Sequence, residues 1–127
     1  MRKILLTLII CTHASANCLF TLNVDIDQNI DPLFNERIEL KSNELLNQKN
    51  YLSSSSTDII RLKLKLDKEM DHYKMTTMTL VRVNGTLKHY AYGESKRYRS
   101  YESALKMKPI LSSISQSIKQ LPRCSHD

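Results

Sequence analysis

Apolar and polar positions alternate strictly in two places along the chain. Phe20, Leu22, Val24 and Ile26 are separated by Thr21, Asn23 and Asp25, and Ile60, Leu62, Leu64 and Leu66 by Arg61, Lys63 and Lys65. A period of two puts every apolar side chain on one face of an extended strand and every polar one on the other, so each segment predicts a half-buried strand. A polar turn over 68–72 follows the second of them. Residues 75–83, rich in Thr, Val and Met, predict a third strand. Asn84-Gly85 behind it is the dipeptide that best tolerates the positive φ angles of a two-residue hairpin turn, which makes 87–93 the returning strand.

Helical spacing takes over elsewhere. Leu33, Phe34, Ile38, Leu45, Leu46 and Leu52 fit one face of a helix running from Pro32 to about Asn50. Asp31 supplies its N-cap and Pro32 its first position, where a missing N–H costs nothing; the serines at 53–56 end it. Ala104, Met107, Leu111, Ile114, Ile118 and Leu121 recur at steps of three and four and predict a second amphipathic helix that stops before Pro122. Pro109 either kinks that helix or marks a later start. The order strand, helix, strand, strand, strand, helix predicts an α+β fold. Its form is a two-layer sandwich, a mostly antiparallel sheet with two helices packed on one face.

The N-terminus has a separate logic. Arg2 and Lys3 precede an apolar run over 4–11, and Ala14-Ser15-Ala16 follows, the pattern of a secretory signal peptide cleaved after Ala16. The run is shorter than the roughly 20 residues needed to cross a bilayer, and no later segment approaches that length. Cys18 lacks the setting of a lipidated cysteine, with Asn17 where a small residue belongs and Ser15 where Leu belongs. Of 127 residues the leader takes 16, so 17–127 form a single α+β domain. The leader also holds two of the nineteen Lys and Arg and none of the thirteen acidic residues, which leaves a net charge of +4 beyond it. That balance is spread along the chain and is no signature of nucleic-acid binding. Cys18 and Cys124 remain near opposite ends, and export to an oxidising compartment predicts a disulfide between them. The expected localisation is periplasmic or secreted.

Few residues carry recognisable chemistry. Asp25, Asp27, Asn29, Asp31 and Glu36 match several oxygen-ligand positions of a calcium-binding loop, but Ile30 stands where that loop needs Gly, Pro32 adjoins it, and a strand precedes it. The simpler reading puts Asp25 and Asp27 on a solvated strand face, with no metal bound. His72, His89 and His126 are scattered, without a pair at metal-ligand spacing. Nucleophile elbows, phosphate loops and dinucleotide fingerprints are missing from the sequence, and only two glycines occur in it. No cofactor is implied. Lys88, Tyr90, Tyr92, Lys96, Arg97, Tyr98, Arg99 and Tyr101 interleave aromatic and basic side chains and form the best candidate binding patch. The alternative is an ordinary wet sheet face, since Lys88, Tyr90 and Tyr92 share one side of a strand.

In element order, lone-Gly hairpin and final amphipathic helix, the chain resembles small bacterial envelope-assembly accessory proteins, such as the lipopolysaccharide-assembly protein LptE and related periplasmic domains. That resemblance carries no residue roles and implies a non-catalytic part in the envelope by analogy of fold. The expected function is therefore an exported, non-catalytic accessory protein that binds another envelope or extracellular protein through a sheet face or strand edge. A small secreted enzyme or enzyme inhibitor, with a site assembled across the fold, is the alternative from another class.

Overall fold

The computed structural model describes residues 18–27 and 32–125. The expected leader over 1–16, the Asp31 cap, Asn29 and His126 lie outside the described residues. The two alternating segments form strands β1 (Cys18–Ile26) and β3 (Ile59–Glu69). In β3, Ile60, Leu62 and Leu64 are buried while Arg61, Lys63 and Lys65 are exposed, as a period of two requires. Strands β4 (His72–Val83) and β5 (Thr86–Glu94) follow through two tight turns. The first is narrower than the predicted 68–72: only Met70 and Asp71 lie between strands, with Met70 at φ 50. The second is Asn84-Gly85, at φ 53 and 79, the left-handed pair that a right-twisted two-residue hairpin demands.

Helix α1 (Pro32–Asn47) ends earlier than the apolar spacing predicts. Asn50 turns the chain at φ 66, and Tyr51–Ser53 becomes a short strand, β2, so Leu52 lies in the sheet and not on the helix. Three residues are too few for alternation to show. Ile38, Leu45 and Leu46 are buried on α1, whereas Leu33 is 65% exposed, so the packed stripe is narrower than the apolar one. The C-terminal helical region divides into α2 (Tyr101–Ala104) and α3 (Met107–Lys119). Pro109 falls in the first turn of α3, where backbone N–H groups have no helical partner, so it marks a later start and not a kink.

Among the described residues the sheet has five strands in the order β2-β1-β3-β4-β5. The long antiparallel pairings of β3 with β4 and β4 with β5 make it mostly antiparallel, and β1 adds a parallel seam to β2 on one side and β3 on the other. The chain crosses from β2 to β3 over 54–58. There Thr21 Oγ1 donates to the Ser56 carbonyl at 2.7 Å and accepts from the Ser56 N–H at 3.0 Å. One contiguous core joins Phe20, Ile38, Leu46, Ile60, Leu62, Met75, Ile110 and Ile114, which places α1 and α3 in a single layer over one sheet face. This is the expected α+β sandwich.

Small residues let α3 approach the sheet closely. Thr77 and Ser113 share a buried hydroxyl hydrogen bond of 2.8 Å, and Thr79 and Ser117 one of 2.6 Å. Between them the space beside Gly93 is filled by the Ser113 carbonyl and the Ser117 backbone. Ile110, absent from the predicted stripe, is fully buried.

Candidate functional site

Because the helices cover one side of the sheet, the alternate residues of β1, β3, β4 and β5 make an open face with no helix of the described residues over it. Strand register decides which of them meet. Arg61 pairs with Leu80 and Leu80 with Tyr90; Lys63 pairs with Met78 and Met78 with Tyr92. The result is an apolar and aromatic row, with Leu80 and Met78 half-buried, Tyr90 57% exposed and Tyr92 37% exposed. Basic side chains of β3 flank it on one side. Cross-strand pairs of this kind stabilise the sheet, yet here their outer surfaces remain in water.

Charge is unevenly neutralised on this face. Arg61 Nε is 3.5 Å from Asp25 Oδ2, and Lys65 Nζ is 3.9 Å from Asp67 Oδ1. Lys63 and Arg82 form no ion pair among the described residues. At one end Lys74 Nζ lies 2.9 Å from both Glu69 Oε1 and Glu94 Oε2, and Arg97 Nη2 lies 3.4 Å from Glu69 Oε2. The hydrogen bond from Lys74 holds the Glu69 and Glu94 carboxyls below the usual carboxylate range, and the two carboxylates push the Lys74 ammonium up in return. Tyr92, whose hydroxyl donates to Glu94 at 3.4 Å, has its phenol raised chiefly by burial.

The predicted patch therefore divides. Tyr90 and Tyr92 lie on the open face, with Lys88 at a bulge near one end of β5. Tyr98 instead forms a backbone bridge with Tyr73, and Tyr101 packs edge-on against the Tyr73 ring at 6.1 Å. Arg97 is drawn to Glu69, while Lys96 and Arg99 are exposed. Sequence reading missed Leu80 and Met78, since their neighbours come from other strands. It also missed Gln116 and Gln120. The Gln120 side chain takes the Tyr92 N–H and donates to the Tyr92 carbonyl, and Gln116 accepts from the Glu94 N–H, so α3 caps the outer edge of β5 there. Their spacing of four, beside the Ser113 and Ser117 stripe, was the available signal.

Among the other candidates, Asp25 and Asp27 line a cleft of about 410 Å³ with Asn35 and Glu39, and Glu36 is not among its lining residues. No group of three or more His, Cys, Asp or Glu side chains suited to a metal ion occurs among the described residues. Cys18 and Cys124 form a disulfide with Cα atoms 6.1 Å apart, as export predicts. No helix among the described residues is long and apolar enough to cross a membrane.

No family model matches the chain, and no curated protein matches it. Solved structures do. An uncharacterized protein aligns with a TM-score of 0.50 at 10% identity, over 81% of this chain and 88% of that one. A dodecameric PelC variant from Paraburkholderia phytofirmans aligns with a TM-score of 0.48 at 11% identity, over 80% of this chain and 88% of that one. At such identities the first likeness extends to the fold alone.

Proposed function

We propose that the chain is an exported, non-catalytic accessory protein, periplasmic or secreted, that docks another envelope protein on its open sheet face. The observation that carries this reading is the Met78, Leu80, Tyr90 and Tyr92 row, left uncovered by the described residues and bordered by Arg61, Lys63 and Arg82. A partner with an apolar patch and an acidic rim complements it in both shape and sign. The Cys18–Cys124 disulfide supports an oxidising compartment, and the resemblance to envelope-assembly proteins in element order agrees with it. The face is favoured over the β5 edge because Gln116 and Gln120 already occupy the backbone groups of Tyr92 and Glu94. A catalytic reading has weaker support. The carboxyls of Glu69 and Glu94 are tied to Lys74 in an ion-pair cluster and line neither the cleft of about 410 Å³ nor another of about 540 Å³.

Site-specific photo-crosslinking in the producing cells tests the proposal. A benzophenone side chain at Leu80 or Tyr90 is expected to give a discrete adduct with an envelope protein, and the same probe at Leu40, which is 74% exposed on α1, is expected to give none. Adducts from Leu40 alone, or none from the open face, would overturn it.

A further inference from the structure

The parallel seam is incomplete at one end. Strand β3 begins at Ile59, opposite Thr21, so among the described residues Cys18, Leu19 and Phe20 have β2 on one side and no strand on the other. The Thr21 N–H donates to the Asp58 carbonyl on the β3 side, at 2.8 Å. Since a strand repeats every two residues, Leu19 turns its own N–H and carbonyl to that same side, where the ladder has stopped. Across this gap stand the end of β4 and the start of β5. The gap opens into a cleft of about 540 Å³, within the size range of small-molecule sites.

Two kinds of surface line the cleft. Phe20, Ile60 and Val81, all at most 4% exposed, give an apolar floor, and Tyr51 and the Cys18–Cys124 disulfide give a wall. Arg82, Lys88 and Arg123 contribute three cationic groups, and none of them forms an ion pair among the described residues. Among the described residues Asp58 is the lone carboxylate in the lining, and its Oδ1 accepts from the Asn84 N–H at 3.0 Å. Arg123 is held beside the cleft by its neighbours. Tyr51 donates to the Pro122 carbonyl at 3.1 Å, and the Cys124 N–H donates to the Lys49 carbonyl at 2.8 Å.

We propose that this cleft binds a small amphipathic anion, an acyl or aryl chain ending in a carboxylate or sulfonate. The chain lies on Phe20, Ile60 and Val81, and the charged head meets Arg82, Lys88 and Arg123. Three cationic residues without an ion pair among the described residues line one opening and favour an anion, and the apolar floor beside them selects one with an apolar body. This site shares Arg82 with the rim of the open-face row, but its floor, Lys88 and Arg123 lie outside that row and Arg61 and Lys63 lie outside the cleft, so substitutions there tell the two apart.

Fluorescence titration of the disulfide-intact protein with 8-anilinonaphthalene-1-sulfonate tests it, with dodecanoate and inorganic phosphate as competitors. One saturable site is expected, displaced by dodecanoate and not by equal phosphate. The pair Arg82→Glu and Arg123→Glu, both at exposed positions, is expected to weaken binding by about 10-fold or more, because opposite charge now faces the anion. Arg61→Glu with Lys63→Glu, on the open face, is expected to change it by less than about 2-fold, being outside the cleft. Absence of saturable binding, displacement by phosphate as effective as by dodecanoate, or an equal loss in the open-face pair would overturn the proposal. Thermal unfolding of each variant confirms that it is folded.

Discussion

Gly93 occupies a point of β5 where any side chain runs into the backbone of α3. A Cβ there would meet the Ser113 carbonyl and the Ser117 N–H, both main-chain atoms of a packed helix that cannot swing aside. Gly93→Ala is therefore expected to destabilise the protein by about 1–3 kcal/mol, the range for overpacking a well-filled interior, read from urea unfolding with an unchanged m-value. The same close approach explains why the buried hydroxyls of Thr77, Thr79, Ser113 and Ser117 were not legible in the sequence. Pattern reading counts Thr and Ser as polar, and only tertiary packing turns them into paired core groups. On the open face, Lys74 is 12% exposed and is placed between Glu69 and Glu94, which are 47% and 44% exposed. The two carboxyls are lowered in the folded protein, so their stabilising contribution is present above the unfolded carboxylate range and is lost as pH falls below that range and through their lowered folded values. Lys74 is raised, so its contribution holds at all pH below the ordinary lysine range and fades only in strong alkali. Lys74→Met is expected to be less stable than the parent at pH 7, with the gap closing as pH falls below the ordinary glutamate range, about 4.3, and the carboxyls protonate. A constant gap in urea midpoints over that fall would contradict the account.

Elements differ in how openly the sequence declares them. β1, β3 and the Asn84-Gly85 hairpin were legible because alternation and positive-φ chemistry are local properties. β2 was not, since Tyr51–Ser53 is a strand only because Cys18, Leu19 and Phe20 lie beside it. The end of α1 was missed for the same reason, Leu52 continuing an apolar spacing that Asn50 had already broken. The candidate face was half legible. Tyr90 and Tyr92 announce one side of β5, but Leu80 and Met78 join them only through cross-strand register. At the outer edge of β5, Gln116 and Gln120 replace the missing sixth strand for two residues. Exposed strand edges recruit other chains, so Gln116→Ala with Gln120→Ala is expected to raise concentration-dependent association, measured by sedimentation velocity, while each monomer keeps its fold. Unchanged sedimentation at high concentration would show that the edge is protected in some other way.

At the scale of the whole molecule, the disulfide ties the first residue of β1 to the segment after α3 across a separation of 106 residues. Closing so long a loop restricts the unfolded chain by about 4–5 kcal/mol in the chain-entropy picture, a large share of the stability of a small domain. Cys18→Ser with Cys124→Ser is accordingly expected to lower the unfolding free energy by about that amount, or to leave the protein unfolded at 37 °C. The bridge was legible from the expected compartment and the cysteine count, but the cleft it walls was not, because its floor and its cations come from segments that are distant in sequence. The reading of the N-terminus as an export signal underlies both the expected bridge and the proposed envelope role, and intact mass spectrometry of the protein from its native cells, with thiol alkylation before and after reduction, tests it most directly. The account predicts a chain beginning at Asn17 whose two cysteines react only after reduction; a chain retaining Met1, or cysteines alkylated without reduction, would contradict it.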